Sequence, residues 1–333
     1  MKNTIYILLI FLFSACSKNS DTEKYQTSRD NIIDVRDRLV EIEIDDVLIS
    51  QNNRVAIIDN CLIISDFKSF DKQIHLFDKY NFTYLTSTAP KGMGPGAVAN
   101  MGGAQADLDK RHFWVPDYAK YKLFYYNIDS VLTNPDYKPI EKNTMAKDQI
   151  ISDLKLINDT LALTCIIEPI GNNDFTPVIA RWNPLTGYIK PYKNSHPEVK
   201  KIRLNYNVSS EHGIYVEIYH RDDLLRIFDL EGNLKYNIYG PNWNPQKKRR
   251  TEEHKNVEFC NDKIIASYAG VNSSAKDTYP KRLIVFDLEG NYLKTLNIGE
   301  SISDFTFDKE NNRIIFCLNA DIQFAYLNLD GLI

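Results

Sequence analysis

One stretch of this chain occurs twice almost unchanged, and that repeat limits the available folds more than any other feature. The sequence Phe-Asp-Leu-Glu-Gly-Asn stands at residues 228–233 and again at 286–291, each time between two apolar runs. Repetition at a long spacing is typical of proteins built from an array of similar units. Gly and Asn readily adopt the positive φ of tight hairpins, so each copy predicts two strands joined by a turn.

Four weaker copies of the same signature lie elsewhere in the chain. In every copy an apolar strand ends in an aromatic residue or Leu, and Asp or Asn follows. The six Asp or Asn positions, 41 to 58 residues apart, are Asp78, Asn127, Asn183, Asp229, Asp287 and Asn328. About 50 residues suffice for one four-stranded sheet, and the strand-like alternation excludes a helical repeat. Residues 36–333 are therefore predicted to form an all-β, six-bladed β-propeller.

The sixth unit supplies three strands rather than four. Before the first unit, residues 38–44 alternate between apolar and charged side chains, as a half-buried strand does. A missing outer strand would leave an open edge that favours aggregation. The sequence therefore predicts that the N-terminal strand completes the last blade and closes the ring.

The first 15 residues have the pattern of an export signal. Lys2 is followed by the apolar run 5–13 and by Phe13-Ser14-Ala15-Cys16. That tetrad resembles the lipobox of bacterial lipoproteins, which implies a lipid on Cys16 and an extracytoplasmic chain anchored to the outer membrane. An ordinary secretory signal with a chance Cys is the alternative. The polar residues after Cys16 predict a flexible tether over 16–35.

Four further cysteines, Cys61, Cys165, Cys260 and Cys317, lie far apart in or beside apolar runs. Their spacing matches neither a small disulfide scaffold nor a metal site. They are interpreted as small core residues, and one disulfide among them remains open.

The six units and the segment Gly92-Met93-Gly94-Pro95-Gly96, after the first unit, carry a family resemblance. Over about residues 36–333 the chain resembles six-bladed propeller lipoproteins related to the TolB-like and NHL-like groups. The glycine segment lacks the Lys-Ser or Lys-Thr of a phosphate-binding loop, so it is interpreted as an inter-blade crossover. Because the lipoprotein members largely lack an assigned function, the resemblance implies fold and location rather than activity.

Two segments break the strand pattern and are candidate binding sites. In the first, Trp114 and Tyr118 could stack on a sugar ring while Arg111 and Asp117 form hydrogen bonds; a plain strand before a Pro-Asp turn is the alternative. In the second, alternation places Tyr215, Glu217 and Tyr219 on one face, and His220 starts the next turn.

A third candidate is the loop 241–255, which contains Trp243 and the densest basic run, residues 247–250. Acidic residues follow that run at once, and the whole chain has a net charge of −4. A solvated loop that contacts a partner is therefore favoured over a nucleic-acid site.

No catalytic signature stands out. The sequence has no His-x-x-x-His pair and no Gly-x-Ser-x-Gly elbow, and no set of oxygen ligands for calcium can be picked from it. The predicted role is a membrane-anchored module without a resident cofactor that binds a protein or glycan partner. The alternative is a calcium-dependent hydrolase or lactonase with its site in the propeller funnel.

Overall fold

The computed structural model describes residues 21–107, 111–144, 151–169, 175–247 and 250–333. Within these ranges the chain is almost entirely β, and the helical residues are a 3-10 turn, Arg36–Arg38, and α1, Ile128–Thr133. The strands form six sheets arranged in a ring, so the predicted six-bladed β-propeller is confirmed. No helix of the described part has the length and apolar character needed to cross a bilayer.

The described chain begins along the outer edge of the ring. The strands β1 (Glu23–Tyr25) and β2 (Ile32–Asp34) run parallel to the outer strands of the fourth and fifth blades. β3 (Val40–Glu41) then pairs antiparallel with the last strand of the sixth blade, and the predicted closure of the ring is confirmed. The predicted tether over 16–35 needs correction, because residues 23–25 and 32–34 pair with the ring. Unpaired outer edges offer the backbone groups that make such pairing favourable.

Blades 1 to 3 follow one another along the chain, and each has four antiparallel strands counted from the channel outwards. Blade 1 contains β4 (Asn53–Ile58), β5 (Cys61–Asp66), β6 (Lys72–Asp78) and β7 (Tyr84–Pro90). Blade 2 contains β8 (Gln105–Ala106), β9 (His112–Asp117), β10 (Lys122–Asn127) and β11 (Ile140–Thr144). Blade 3 contains β12 (Ile151–Asn158), β13 (Leu161–Pro169), β14 (Phe175–Trp182) and β15 (Ile189–Pro191).

Blades 4 to 6 each take up one N-terminal strand as their outermost member. Blade 4 contains β16 (Leu204–Ser209), β17 (Ile214–Tyr219), β18 (Leu224–Asp229) and β19 (Leu234–Tyr239), followed by β1. Blade 5 contains β20 (Thr251–Cys260), β21 (Lys263–Asn272), β22 (Arg282–Asp287) and β23 (Tyr292–Asn297), followed by β2. Blade 6 contains β24 (Ile302–Asp308), β25 (Arg313–Leu318) and β26 (Phe324–Asn328), followed by β3.

The repeated Asp and Asn are turn residues. Asp229 accepts hydrogen bonds from the backbone N–H groups of Glu231 and Asn233, and Asn233 donates its side-chain amide to the same carboxylate. The second copy repeats these three bonds at equivalent positions. Gly232 adopts φ +89°, where a side chain would be strained. The six landmarks all lie at the ends of third strands, which confirms their use as a measure of the repeat.

The core lies between neighbouring blades. Blades 1 and 2 share a cluster that includes Ile74, Phe113 and Tyr126, and blades 5 and 6 share one that includes Val285 and Phe316. The four cysteines expected in the core are buried free thiols. Cys16 lies outside the described residues.

Alternating strand directions give the ring two distinct faces. One face carries the links between blades and the loops between second and third strands; we call it the connection face. The other carries the hairpin turns that join first to second and third to fourth strands. Residues 91–104 belong to the connection face, and the Lys120 ammonium donates to the carbonyls of Gly94 and Ala97 there. The glycine segment is therefore the predicted inter-blade crossover.

Candidate functional site

The four candidate residues of blade 2 do not form one site. Arg111 precedes β9 on the hairpin-turn face, where it pairs with Asp59 and Asp129. Trp114 is buried within the blade. Asp117 and Tyr118 lie on the connection face, a strand length of about 20 Å from Arg111. The proposed stacking of Trp114 and Tyr118 on one sugar ring is therefore not supported by their placement.

Asp117 has a structural role and holds two backbone segments together. Its fully buried carboxylate accepts hydrogen bonds from the backbone N–H groups of Ala99, Asn100 and Ala119, at 2.8 to 3.1 Å. These bonds join the loop after β9 to the preceding inter-blade link. The nearby Tyr118 hydroxyl donates to the carbonyl of Ser152 in blade 3. Both residues are engaged within the fold.

The second candidate segment leads to a cavity. Tyr215 faces away from it and stacks on Phe228 in the core, with ring centroids 4.8 Å apart. Glu217 and Tyr219 line a cavity of about 680 Å³ between blades 3 and 4, which opens on the connection face. Its walls come from the first residues of β14, the link 191–204, the end of β17 and the residue before β20. We call this cavity the blade 3–4 pocket.

A buried polar network forms the floor of the blade 3–4 pocket. The Tyr219 hydroxyl donates to Glu217 Oε2 at 3.0 Å, and Arg226 Nη1 donates to the Tyr219 hydroxyl at 3.2 Å. Arg226 Nη1 lies 3.6 Å from Glu217 Oε2, and both side chains are more than 90% buried. Burial raises the pKa of Glu217 to about 7, against the lowering effects of Arg226 and Tyr219.

The same network reaches the N-terminal strand. Arg226 Nε donates to Asn237 Oδ1 at 2.9 Å, and Asn237 in turn donates to Glu23 Oε1 at 2.8 Å. Glu23 lies in β1, so the start of the described chain is hydrogen-bonded to the pocket floor through blade 4.

The lining of the blade 3–4 pocket combines apolar residues with an excess of basic ones. The apolar residues include Pro177, Ile202 and Phe175, whose side chain is 62% exposed at the rim. The acidic lining residues are Glu168 and Glu217. The basic lining residues are Lys193, Lys200, Lys201, Arg203, Arg221 and Arg250. The whole chain is acidic, so this local excess of positive charge is distinctive.

The remaining predicted residues lie beside the blade 3–4 pocket. The His220 Nε2 atom is buried without a hydrogen-bond partner in the described structure, and burial lowers the pKa of this imidazole to about 4. Trp243 is half-buried and packs against Tyr239 and His196, with centroid distances of 4.9 and 5.4 Å. In the basic run, Lys247 pairs with Asp222 at 3.3 Å and Arg250 lines the pocket, while residues 248–249 lie outside the described ranges.

A second cavity, of about 330 Å³, lies in the central channel and is lined by the first strands of all six blades. It carries Asp153, Glu258, Asp304 and Arg54. Burial raises the pKa of Glu258 to about 7 and raises that of Asp304. Asp304 accepts from the Val55 backbone N–H at 3.1 Å and also from Asn256.

The acidic side chains of the channel do not gather into a metal-ligand cluster within the described ranges. Calcium takes six to eight oxygen ligands from converging groups. Among the residues described, no three His, Cys, Asp or Glu side chains come close enough to hold a metal ion. The Asp304 oxygens are already engaged by amide donors, and Arg54 lies 3.9 Å from Asp153.

A search for motifs misses the basic lining as a whole, because its members come from three separate segments. One signal is visible in the sequence, where Lys200, Lys201 and Arg203 place three basic residues within four positions. That run belongs to the link between blades 3 and 4. It could have directed attention to this link, but nothing in the sequence indicates that Arg221 and Arg250 lie next to it.

A sequence model of the DUF5128 family, described as a 6-bladed beta-propeller, matches residues 21–147. This match spans the N-terminal strands and the first two blades. A search of curated proteins found no match.

Solved structures with the same architecture are similar over most of the chain. A DUF4221 family member from Bacteroides vulgatus has 12% identity and a TM-score of 0.61, and 87% of this chain covers 97% of it. A protein from Bacteroides fragilis described as exported has 13% identity and a TM-score of 0.56, with coverages of 89% and 87%. The extracellular domain of a hybrid two-component system from B. thetaiotaomicron has 11% identity and a TM-score of 0.52. There, 84% of this chain covers 34% of that chain. At these identities the similarity shows the fold alone.

Proposed function

We propose that this protein is a membrane-anchored, extracytoplasmic propeller that binds a partner in the blade 3–4 pocket. The observation that carries the proposal is the pocket itself, about 680 Å³ in volume. Ligand sites typically measure 300 to 1,000 Å³ and combine apolar walls with a few convergent polar groups. The apolar residues around Phe175 and the polar floor of Glu217 and Tyr219 fit that description.

The exposed ring of Phe175 favours binding of a glycan or a protein side chain. Large apolar side chains that are exposed to solvent at the rim of a cavity are typical of contact sites, because a bound partner removes their apolar surface from water. Phe175 starts β14, so a strand of the scaffold holds it in place.

The proposed location rests on the export signal and on the described locations of two structurally similar proteins. Residues 1–15 have the order of an export signal, and Cys16 follows at the position where lipoproteins are lipidated. Two solved propellers of the same architecture are described as an exported protein and an extracellular domain. Palmitate labelling of the native protein and of a Cys16→Ser variant tests the anchor. Labelling that survives the substitution would contradict it.

The binding role is tested with Phe175→Ala and a matched control. Phe70 is 99% exposed on blade 1, away from the pocket, so Phe70→Ala removes an equivalent ring elsewhere. Partners are collected by cross-linking in the native membrane and by binding to an oligosaccharide array. We expect Phe175→Ala to reduce capture at least fivefold and Phe70→Ala to leave it unchanged. Equal capture by both variants would overturn the proposal.

Hydrolysis in the central channel is the second candidate, favoured by the raised pKa of Glu258. A carboxyl group that titrates near 7 suits general acid–base catalysis at neutral pH. A screen of esters and lactones tests it, with Glu258→Gln as the inactive variant. Turnover that is unchanged in Glu258→Gln would assign the activity elsewhere.

A further inference from the structure

Three arginines from separate segments meet at one side of the blade 3–4 pocket. Arg203 precedes β16, Arg221 follows β17 and Arg250 precedes β20, and all three line the cavity. Within the part of the chain that the structure describes, no carboxylate forms a salt bridge with any of these three guanidinium groups, of which Arg221 is half-buried and Arg203 and Arg250 are exposed. The cluster therefore adds to a local excess of positive charge at the pocket.

The arginines disfavour one another in the free protein. The pKa of Arg221 is lowered by burial and then by the neighbouring charges of Arg203 and Arg250, and the opposing effects of Glu252 and Asp222 only partly offset this lowering. Its Nε atom is buried and has no hydrogen-bond acceptor among the described residues. Lys200 and Lys201 add two more positive charges to the same lining. An anionic group would supply the missing acceptor, because guanidinium binds carboxylate, sulfate or phosphate through two parallel hydrogen bonds.

The rest of the pocket narrows the class of acidic ligand. The floor presents the Glu217 carboxyl and the Tyr219 hydroxyl, which can accept hydrogen bonds from alcohol groups. Phe175 adds its exposed ring to the lining, a flat apolar surface. A sugar ring has hydroxyl groups on its edge and an apolar C–H face. A sugar that also carries an acid matches the arginines, the polar floor and the apolar ring.

We propose that the blade 3–4 pocket binds an acidic saccharide, one bearing a carboxylate or sulfate group. The acid lies against Arg203, Arg221 and Arg250, the hydroxyls face Glu217 and Tyr219, and the ring stacks on Phe175. This inference rests on the proposed binding function and adds the chemical class of the ligand.

The test uses the whole chain on an array of uronate-containing, sulfated and neutral oligosaccharides, followed by calorimetry on the best binder. We expect the acidic sugars to bind and their neutral counterparts to bind at least tenfold more weakly. Arg203→Gln and Arg221→Gln should each weaken binding about tenfold to a hundredfold, since each removes a charge-assisted bond. Arg38→Gln is the matched control, because Arg38 is exposed near the N-terminal strands and its substitution removes the same charge away from the pocket.

Competition distinguishes the acid from the sugar that carries it. Sodium phosphate and hexaglutamate are tested at equal charge against the bound saccharide. Weak competition supports the proposal, whereas displacement at equal concentration would show a general anion site and overturn it. Binding of no acidic saccharide would also overturn it. If Phe175→Ala abolishes capture of a partner while both arginine variants retain it, the binding function stands and the acidic ligand is wrong.

Thermal unfolding separates a binding role from a structural one. Because the arginines repel each other, Arg203→Gln should leave the melting temperature of the free protein unchanged or raise it by a degree or two. A fall of several degrees in Arg203→Gln would mean that the cluster holds the fold together, and the proposal would fail.

Discussion

Replacing Arg29 with alanine should destabilise the entire propeller, although Arg29 lies in the N-terminal segment between β1 and β2. Its Nη1 atom lies 2.9 Å from Asp223 Oδ1, and the two side chains are 8% and 0% exposed. The contact has the distance of an ion pair without the alignment of a hydrogen bond. The guanidinium also lies over the Tyr268 ring, 5.1 Å from its centroid. Blades 4 and 5 are thus joined to the segment at one buried point.

The magnitude follows from what Arg29→Ala leaves behind. Asp223 would keep contacts to His254 Nε2 at 3.2 Å and to the backbone N–H of Asn242, but it would lose the guanidinium group beside it. Removing one partner of a buried pair typically costs about 3 to 5 kcal/mol, because the other charge remains buried and unpaired. The free energy of unfolding should fall by roughly that amount.

Urea unfolding followed by tryptophan fluorescence measures the loss. Arg36→Ala is the matched control, since Arg36 forms an ion pair with Asp34 in the same segment but both side chains are about half exposed or more. That variant should unfold like the native chain. If Arg29→Ala also unfolds within about 1 kcal/mol of the native chain, the buried pair does not fasten the N-terminal segment and the reasoning is wrong.

Three further predictions concern the fold and the pocket floor. Gly232→Ala should destabilise the protein by more than about 2 kcal/mol in urea unfolding, since φ is +89° and the new Cβ would lie 2.7 Å from the Tyr192 ring. The control Gly187→Ala, at φ +74° in open space, should cost only about 1 kcal/mol of backbone strain. Equal losses in the two variants would contradict the steric argument. Ile42→Ala should cost about 2 to 4 kcal/mol in the same assay, because Ile42 is buried beside the closing strand, while Val40→Ala, at a 42% exposed site, should cost under 1 kcal/mol. Glu217 binds its proton more tightly in the folded state, so its contribution to stability is full below pH 4.5 and is lost as the pH rises to about 7. Urea titrations at a series of pH values should show this decline in the native chain and a flatter dependence of the unfolding free energy on pH in Glu217→Gln. Parallel pH dependences would contradict the raised pKa.

The repeat and the ring closure could be predicted because both depend on local chemistry. The Asp-x-x-Gly-Asn turn forms its hydrogen bonds within five residues, so sequence alone specifies it. The alternation over 38–44 likewise specifies a half-buried strand, although only Val40–Glu41 pairs with β26. The parallel pairing of β1 and β2 could not be predicted, because their partners lie more than 200 residues away and the pairing follows from outer edges that exist only once the blades have formed.

The residues of the candidate site likewise fall into two groups, those that a local sequence pattern reveals and those that only tertiary packing brings together. Glu217 and Tyr219 were found because a charged residue in an otherwise apolar strand needs an explanation, and here the explanation is a pocket floor. Arg203 and Arg250 are 47 residues apart in sequence, and each belongs to its own short basic run. They become a cluster only through the packing of blade 4 beside blade 5. No pattern within one strand carries that information.

Asp117 shows why a polar residue at a strand end is ambiguous evidence for a site. In blade 1, Asp66 ends the second strand as Asp117 does in blade 2. It accepts hydrogen bonds from the backbone N–H groups of Ser50, in the preceding link, and of Lys68, in its own loop. Asp117 makes the equivalent bonds to Asn100 and Ala119. A buried carboxylate that repeats between blades with the same backbone donors belongs to the architecture. Residues without a counterpart in other blades, such as the Glu217–Arg226 pair, are the better evidence for function.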